Sequence, residues 1–149
     1  MEIKGFLIAV MLLFVSAASV WAYKKAPFAK SLRKLAGQGD AESQSRLGYM
    51  YYQGQGVPQD YAEALKWYRL AAAQGYARAQ YSLGYMYANG EGVPQDHVQA
   101  HKWLTLATIT FTDKPERDEA IKARNSVAAR MTPAQIAEAQ KLAREWKKQ

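Results

Sequence analysis

The chain has 149 residues and a mass of 16.7 kDa, which suits one domain of ordinary size. It is 49% hydrophobic and 22% charged, a globular composition and not a disordered one. Cysteine is absent, which excludes disulfides, thiolate metal sites and a thiol nucleophile. The formal net charge of +7 leaves open an anionic partner (nucleic acid or an envelope surface) or simple solubility.

The chain begins MEIKGFLIAVMLLFVSAASVWA: a lysine near the start, an apolar stretch from Phe6 to Val15, and small residues ending at Val20-Trp21-Ala22. That layout predicts a secretory signal peptide over residues 1–22, cut after Ala22, and hence a periplasmic or secreted protein. The alternative is an uncleaved anchor in the inner membrane. Gly5–Tyr23 is just long enough to span a bilayer, and the cations beyond it (Lys24, Lys25, Lys30, Arg33 and Lys34) prefer the cytoplasmic side. Residues 23–39 are basic and turn helical at FAKSLRKLAGQGD. Their Gln38-Gly39 precedes Gln74-Gly75 by 36 residues, so this segment reads as the second helix of a degenerate half-repeat.

The same offset relates two longer segments. LGYMYYQGQGVPQD begins at Leu47 and LGYMYANGEGVPQD at Leu83, 36 residues later. A period in the range of about 20–50 residues marks a stacked array. Residues 40–75 and 76–111 are two copies of one unit, sharing Ala41/Ala77, Gln44/Gln80, Ala64/Ala100, Trp67/Trp103 and Ala71/Ala107. Each copy opens with a helix, Asp40–Gln53 in the first, that packs through Leu47, Gly48, Met50 and Tyr51. Gly54 ends that helix, and Pro58 cannot continue it. Asp60 caps the next helix, with Glu63 placed to complete a capping box, and Asp96 and Gln99 repeat the relation. Helices 60–74 and 96–110 show apolar faces at Ala64, Trp67, Tyr68 and Ala71, and at Ala100, Trp103, Leu104 and Ala107. Gly48 and Gly84 suit close approach of the two helices of a hairpin. A glycine-rich loop before a helix could bind phosphate, but without a Gly-Lys-Ser/Thr ending the tandem loops read as turns.

Past Phe111 the repeat fades. Residues 112–149 predict two helices that close the array, the first with Asp113 and Glu116 as a capping box. The second opens at Thr132-Pro133-Ala134-Gln135, with an apolar stripe of Ile136, Ala139, Leu142, Ala143 and Trp146. A basic amphipathic helix of this kind could instead lie on a membrane.

The stretches SQSRLGYMYYQGQGVPQDYAEALKWYRLAAAQG and AQYSLGYMYANGEGVPQDHVQAHKWLTLA resemble the Sel1-like repeat, strongly over 40–111 and weakly over 28–39. The resemblance implies an all-α fold: a right-handed α-solenoid of antiparallel helix pairs, related to the tetratricopeptide repeat, with two C-terminal capping helices. It also implies a non-enzymatic adaptor that binds a protein or peptide partner. Matching the tetratricopeptide pattern places Glu42, Ser45, Tyr49, Tyr52 and Gln53 on the concave face, with Arg78, Tyr81, Tyr85, Ala88 and Asn89 from the second repeat. Tyr49 and Tyr85, common to both copies, read equally as packing between repeats. The unshared Tyr52, Arg78, Tyr81 and Asn89 are the candidate specificity residues. The family's cysteine-rich branch is reported to bind or hydrolyse β-lactams, and this chain, without cysteine, departs from it.

Other chemistry is thin. His97 and His101 stand four apart on one helix, a spacing that could hold zinc, but repeat one has Tyr61 and Leu65 there, so repeat drift explains them. Serine, histidine and acid form no nucleophile motif, and no cofactor or metal is expected. The lysines cluster at both ends, and an exported protein is not expected to meet nucleic acid. The expectation is a monomer that touches a membrane only through an uncleaved N-terminal segment. The alternatives are a membrane-tethered accessory subunit of an envelope complex or a small cell-wall or β-lactam-type enzyme.

Overall fold

The two copies of the fourteen-residue motif fold alike because the same three loop positions have the same bonding tasks in each. In the first, Gly54 takes the left-handed backbone (φ 69°) and closes the preceding helix onto the Met50 carbonyl. Gln59 Nε2 donates to the Tyr52 carbonyl at 2.9 Å, and the Asp60 N–H donates to the Tyr51 carbonyl at 2.9 Å. Asp60 Oδ1 then accepts from the Glu63 N–H at 3.0 Å, capping the next helix. The second copy repeats these bonds with Gly90 (φ 71°), Gln95 to Ala88 at 2.8 Å, and Asp96 to Gln99 at 3.0 Å. Helix-end groups that would otherwise be orphaned are thus met by side chains encoded in the loop.

The computed structural model describes residues 27–149. The N-terminal segment read as signal peptide or anchor lies outside the described residues. These hold seven helices and no strand: α1 (Pro27–Gly37), α2 (Ala41–Gln53), α3 (Tyr61–Ala73), α4 (Ala77–Asn89), α5 (His97–Thr110), α6 (Lys114–Ala128) and α7 (Pro133–Glu145). Each helix through α5 packs on its successor, and α4 also meets α6 while α5 meets α7, so the chain forms an α-solenoid of helix pairs. The core runs between repeats: Ala64, Leu65, Tyr68, Ala71 and Ala72 of α3 pack on Ala79, Leu83 and Met86 of α4. A second cluster joins Ala100 and Leu104 of α5 to Val127 of α6.

Buried amides set the register between neighbours. Gln44 donates to the Ala36 carbonyl at 3.1 Å, and Gln80, at the matching position, donates to the Ala72 carbonyl at 3.4 Å. Gln74 spans back to the Gly39 carbonyl and to Gln44 Oε1, each at 2.8 Å. At the far end Trp146 meets Trp103 edge-on at 6.3 Å, and the Gln149 N–H donates to the Ala73 carbonyl at 2.9 Å. The C-terminal tail therefore straps the end of α3.

Three local expectations are corrected. Among the described helix starts, only Thr132 and Gln135 form both halves of a capping box. The Glu63 carboxylate lies by Lys66 at 3.6 Å. Asp113 makes no side-chain cap bond, and Glu116 leaves its helix to face Arg78 at 3.5 Å. Trp67 and Trp103 are half-buried, because Ala64, Leu65 and Tyr68 on α3, and Ala100 and Leu104 on α5, take the innermost contacts.

Gly84 lies where α4 crosses α5. A Cβ there would stand 2.7 Å from Leu104 Cγ and 3.1 Å from the Ala100 carbonyl oxygen, and the backbone oxygen cannot turn away. In an open helix, glycine to alanine stabilises by about 1 kcal/mol. Here Gly84→Ala is expected to destabilise instead, by about 1–3 kcal/mol, as overpacking does. Urea unfolding checks it: a midpoint at or above the parent's would show that the hairpin spreads without penalty.

Candidate partner-binding groove

On α2, Leu47 and Gly48 point into the core, while Glu42, Arg46 and Tyr49 are exposed around the helix from them. These three, with the buried Ser45, line one side of a groove, and α4 supplies Arg78, Tyr81 and Ser82 from matching positions. The start of α6 adds Lys114, Pro115 and Asp118 as a third wall, and Phe111 stands edge-on to Tyr81 at 6.5 Å. Together they enclose a groove of about 1100 Å³.

Its floor is aromatic and hydroxylic. Tyr68 reaches through from α3, 2% exposed, with its hydroxyl hydrogen-bonded to Ser82 and its pKa pushed up to about 12 by burial. Burial also raises the Tyr81 phenol, with Glu119 adding to it. Tyr49 stands at the mouth, 48% exposed. The charges along the walls are matched in pairs. Arg46 meets Glu42 at 2.6 Å and Arg78 meets Glu116 at 3.5 Å. On α6, Lys114 meets Asp118 at 2.7 Å and Lys122 meets Glu119 at 2.8 Å.

The structure brings five of the expected face residues to this groove, namely Glu42, Ser45, Tyr49, Arg78 and Tyr81, and leaves the rest outside its lining. Tyr52 turns toward the second loop, where its hydroxyl donates to Glu91 Oε2 at 2.9 Å and its ring lies 5.3 Å from that of Tyr61. Burial and the Glu91 carboxylate both raise its pKa. Gln53 and Asn89 are the exposed last residues of α2 and α4, Ala88 packs beside the Ala100–Leu104 cluster, and Tyr85 is exposed beyond the groove's rim. Missed from sequence were Arg46, Met50, Ser82 and the α6 wall. The 36-residue period carried that signal: one period past Arg46 stands Ser82, and one past Arg78 and Ser82 stand Lys114 and Asp118.

The model of the family described as Sel1 repeat matches residues 41–76 and 77–108. A solved Sel1 repeat protein from Oxalobacter formigenes is 32% identical with a TM-score of 0.55, the match covering 64% of this chain and 82% of that one. This chain belongs to the Sel1 repeat family. A second solved structure, a protective antigen present in uropathogenic Escherichia coli strains displaying an SLR fold, is 30% identical with a TM-score of 0.72. That match covers 88% of this chain but spans only 28% of the antigen's length. Comparison with curated proteins gives no match. Sel1 repeat proteins are in general non-catalytic scaffolds for protein interaction.

In Sel1 repeat two, His101 serves packing. His101 is 4% exposed, with Nδ1 3.4 Å from Thr105 Oγ1, and among the described residues no group of three or more His, Cys, Asp or Glu could hold a metal ion. Burial, with Arg124 nearby, holds the His101 imidazole below its ordinary value. The unfolded chain therefore takes up a proton first as pH falls, and stability drops from about pH 6.5 downward until the folded state also protonates. His101→Leu, which installs the residue of repeat one, is expected to flatten this slope. Urea midpoints measured from about pH 7.5 to pH 5 test it. Equal slopes in parent and variant would assign the pH dependence to other groups.

Proposed function

We propose that this protein is a non-enzymatic adaptor, exported to the periplasm or secreted, that holds a protein or peptide segment in the groove between α2, α4 and α6. The observation that carries this is the groove itself. Its volume of about 1100 Å³ is ample for a short peptide segment, and its tyrosine and arginine lining is of the kind that dominates binding hot spots. Part of its lining varies between copies, since Glu42 becomes Arg78 and Ser45 becomes Tyr81, while Leu47-Gly48 and Leu83-Gly84 at the helix crossings are the same.

Tyr49→Ala combined with Arg78→Ala tests the reading, since both side chains are exposed and their loss is expected to leave the melting temperature within a few degrees. Truncating two anchors is expected to weaken partner capture by roughly 30-fold or more, about 2 kcal/mol or above. Tyr52→Phe, which removes the bond to Glu91, is the control expected to lower stability and spare binding. Capture undiminished by the double change would remove the groove from the binding site.

Export rests on the layout of residues 1–22, small at Val20 and Ala22 after a short apolar run. No helix among the described residues is long and apolar enough to cross a membrane. The native protein is expected to begin at Tyr23 by intact mass. Full-length chain recovered with membranes would instead make it a tethered accessory subunit, with the five cations between Lys24 and Lys34 on the cytoplasmic side.

A further inference from the structure

We infer that the groove's occupant is an extended, apolar peptide segment without net charge, bearing aromatic or proline side chains. This rests on the reading of the groove as the binding site and adds the chemistry of what binds there.

The protein as a whole is basic, at +7, and a basic surface ordinarily points to an acidic partner. The groove does not share that excess. Each cation in its lining has a carboxylate of the same lining within 4 Å, on Glu42, Glu116, Asp118 or Glu119, so the walls carry four charges of each sign and sum to zero. An acidic segment entering would meet no net positive charge, because a carboxylate of the lining stands beside each cation. A basic segment meets the same obstacle with the signs reversed. What the floor offers is area. Leu32, Met50, Tyr49, Tyr76, Phe111 and Pro115 give apolar and ring surface, and the Tyr68 and Ser82 hydroxyls bond to each other.

Aromatic-lined grooves dock extended proline-rich segments in this manner, stacking rings on the chain with few charged contacts. An oligosaccharide is disfavoured by the same inventory. Sugar hydroxyls need many polar partners, and outside its ion pairs the lining is mostly apolar and ring surface.

The experiment is selection from a display library of random peptides of about ten residues, an extended length that suits groove recognition, against the folded protein at moderate and high salt. The expected outcome is enrichment of sequences with net charge near zero and at least two aromatic or proline residues. Their affinity is expected to change less than about twofold with salt, since no net charge is neutralised. The double variant Glu42→Gln, Glu116→Gln frees Arg46 and Arg78, and selection on it is expected to shift toward acidic sequences. Acidic sequences enriched already on the parent, with affinity falling steeply in salt, would overturn the neutral-occupant inference. If those acidic binders were still lost on Tyr49→Ala with Arg78→Ala, the groove reading would survive that failure. Neutral binders indifferent to that same pair of changes would remove the groove as the site, and the inference with it. No enrichment, or tighter binding of chitin oligosaccharide than of any selected peptide, would overturn the peptide assignment.

Discussion

The spacing within each helix pair depends on two missing methyl groups. At Gly48 a Cβ would stand 2.9 Å from the Tyr68 ring, and at Gly84 it would stand 2.7 Å from Leu104 Cγ. Without them α2 closes on α3 and α4 on α5, so Tyr68 and Leu104 sink to 2% and 1% exposure. Glycine in mid-helix is unfavourable by about 1 kcal/mol relative to alanine, and burial of a large side chain at about 1.5–3 kcal/mol outweighs that loss. The consequence reaches the groove. Tyr68 crosses under α2 to form part of its floor, and it can do so only because residue 48 leaves room for the ring.

The second constraint is polar and acts between repeats. Hydrophobic faces rich in alanine slide easily on one another, and they fix no register alone. Gln44 and Gln80 do, each donating to the carbonyl eight residues back, on the helix before. A buried amide that slipped by one residue would lose its partner, at about 1–3 kcal/mol for the unsatisfied group. Tyr52 adds a bond to Glu91 across 39 residues of chain, and loop two lies so close to repeat one that a Cβ at Gly92 would stand 2.6 Å from the Tyr61 carbonyl oxygen. The first helices of successive pairs are therefore held side by side at set spacing, which is what a groove across them requires.

These bonds also explain what was legible. Features whose partners lie within one repeat could be read directly: the caps at Asp60 and Asp96, the helix stops at Gly54 and Gly90, and the close approach at Gly48 and Gly84. A thirteen-residue helix and its loop are local enough for spacing to reveal them. Tyr52 could not be placed this way, because a face drawn on α2 alone does not know that loop two arrives beside it. Trp67 and Trp103 fall on the apolar side of their helices, yet the alanines and Tyr68 or Leu104 occupy the line of closest approach and leave the indoles at its edge. Beyond Phe111 the repeated words vanish while the period persists, which is why α6 reads as a cap in sequence and stands as a wall in space.

Scaffold and groove are thus separated by a turn of one helix. Within Glu42–Tyr49 the inward-facing Gln44, Leu47 and Gly48 recur in the second copy as Gln80, Leu83 and Gly84, because both copies must fit the same hairpin. Those facing outward meet no such demand. Exposed ion pairs like Arg46–Glu42 contribute little to stability, typically about 0.2–1 kcal/mol, so the outer face can change its charges with little consequence for folding. Arg78 shows how far this goes. It occupies the position of Glu42 with opposite sign, and its partner is not on its own helix but is Glu116 of α6. The reversal is absorbed by the neighbouring wall, and the groove stays neutral although its two copies differ. Neutrality is therefore a property of the three helices together and of no single repeat.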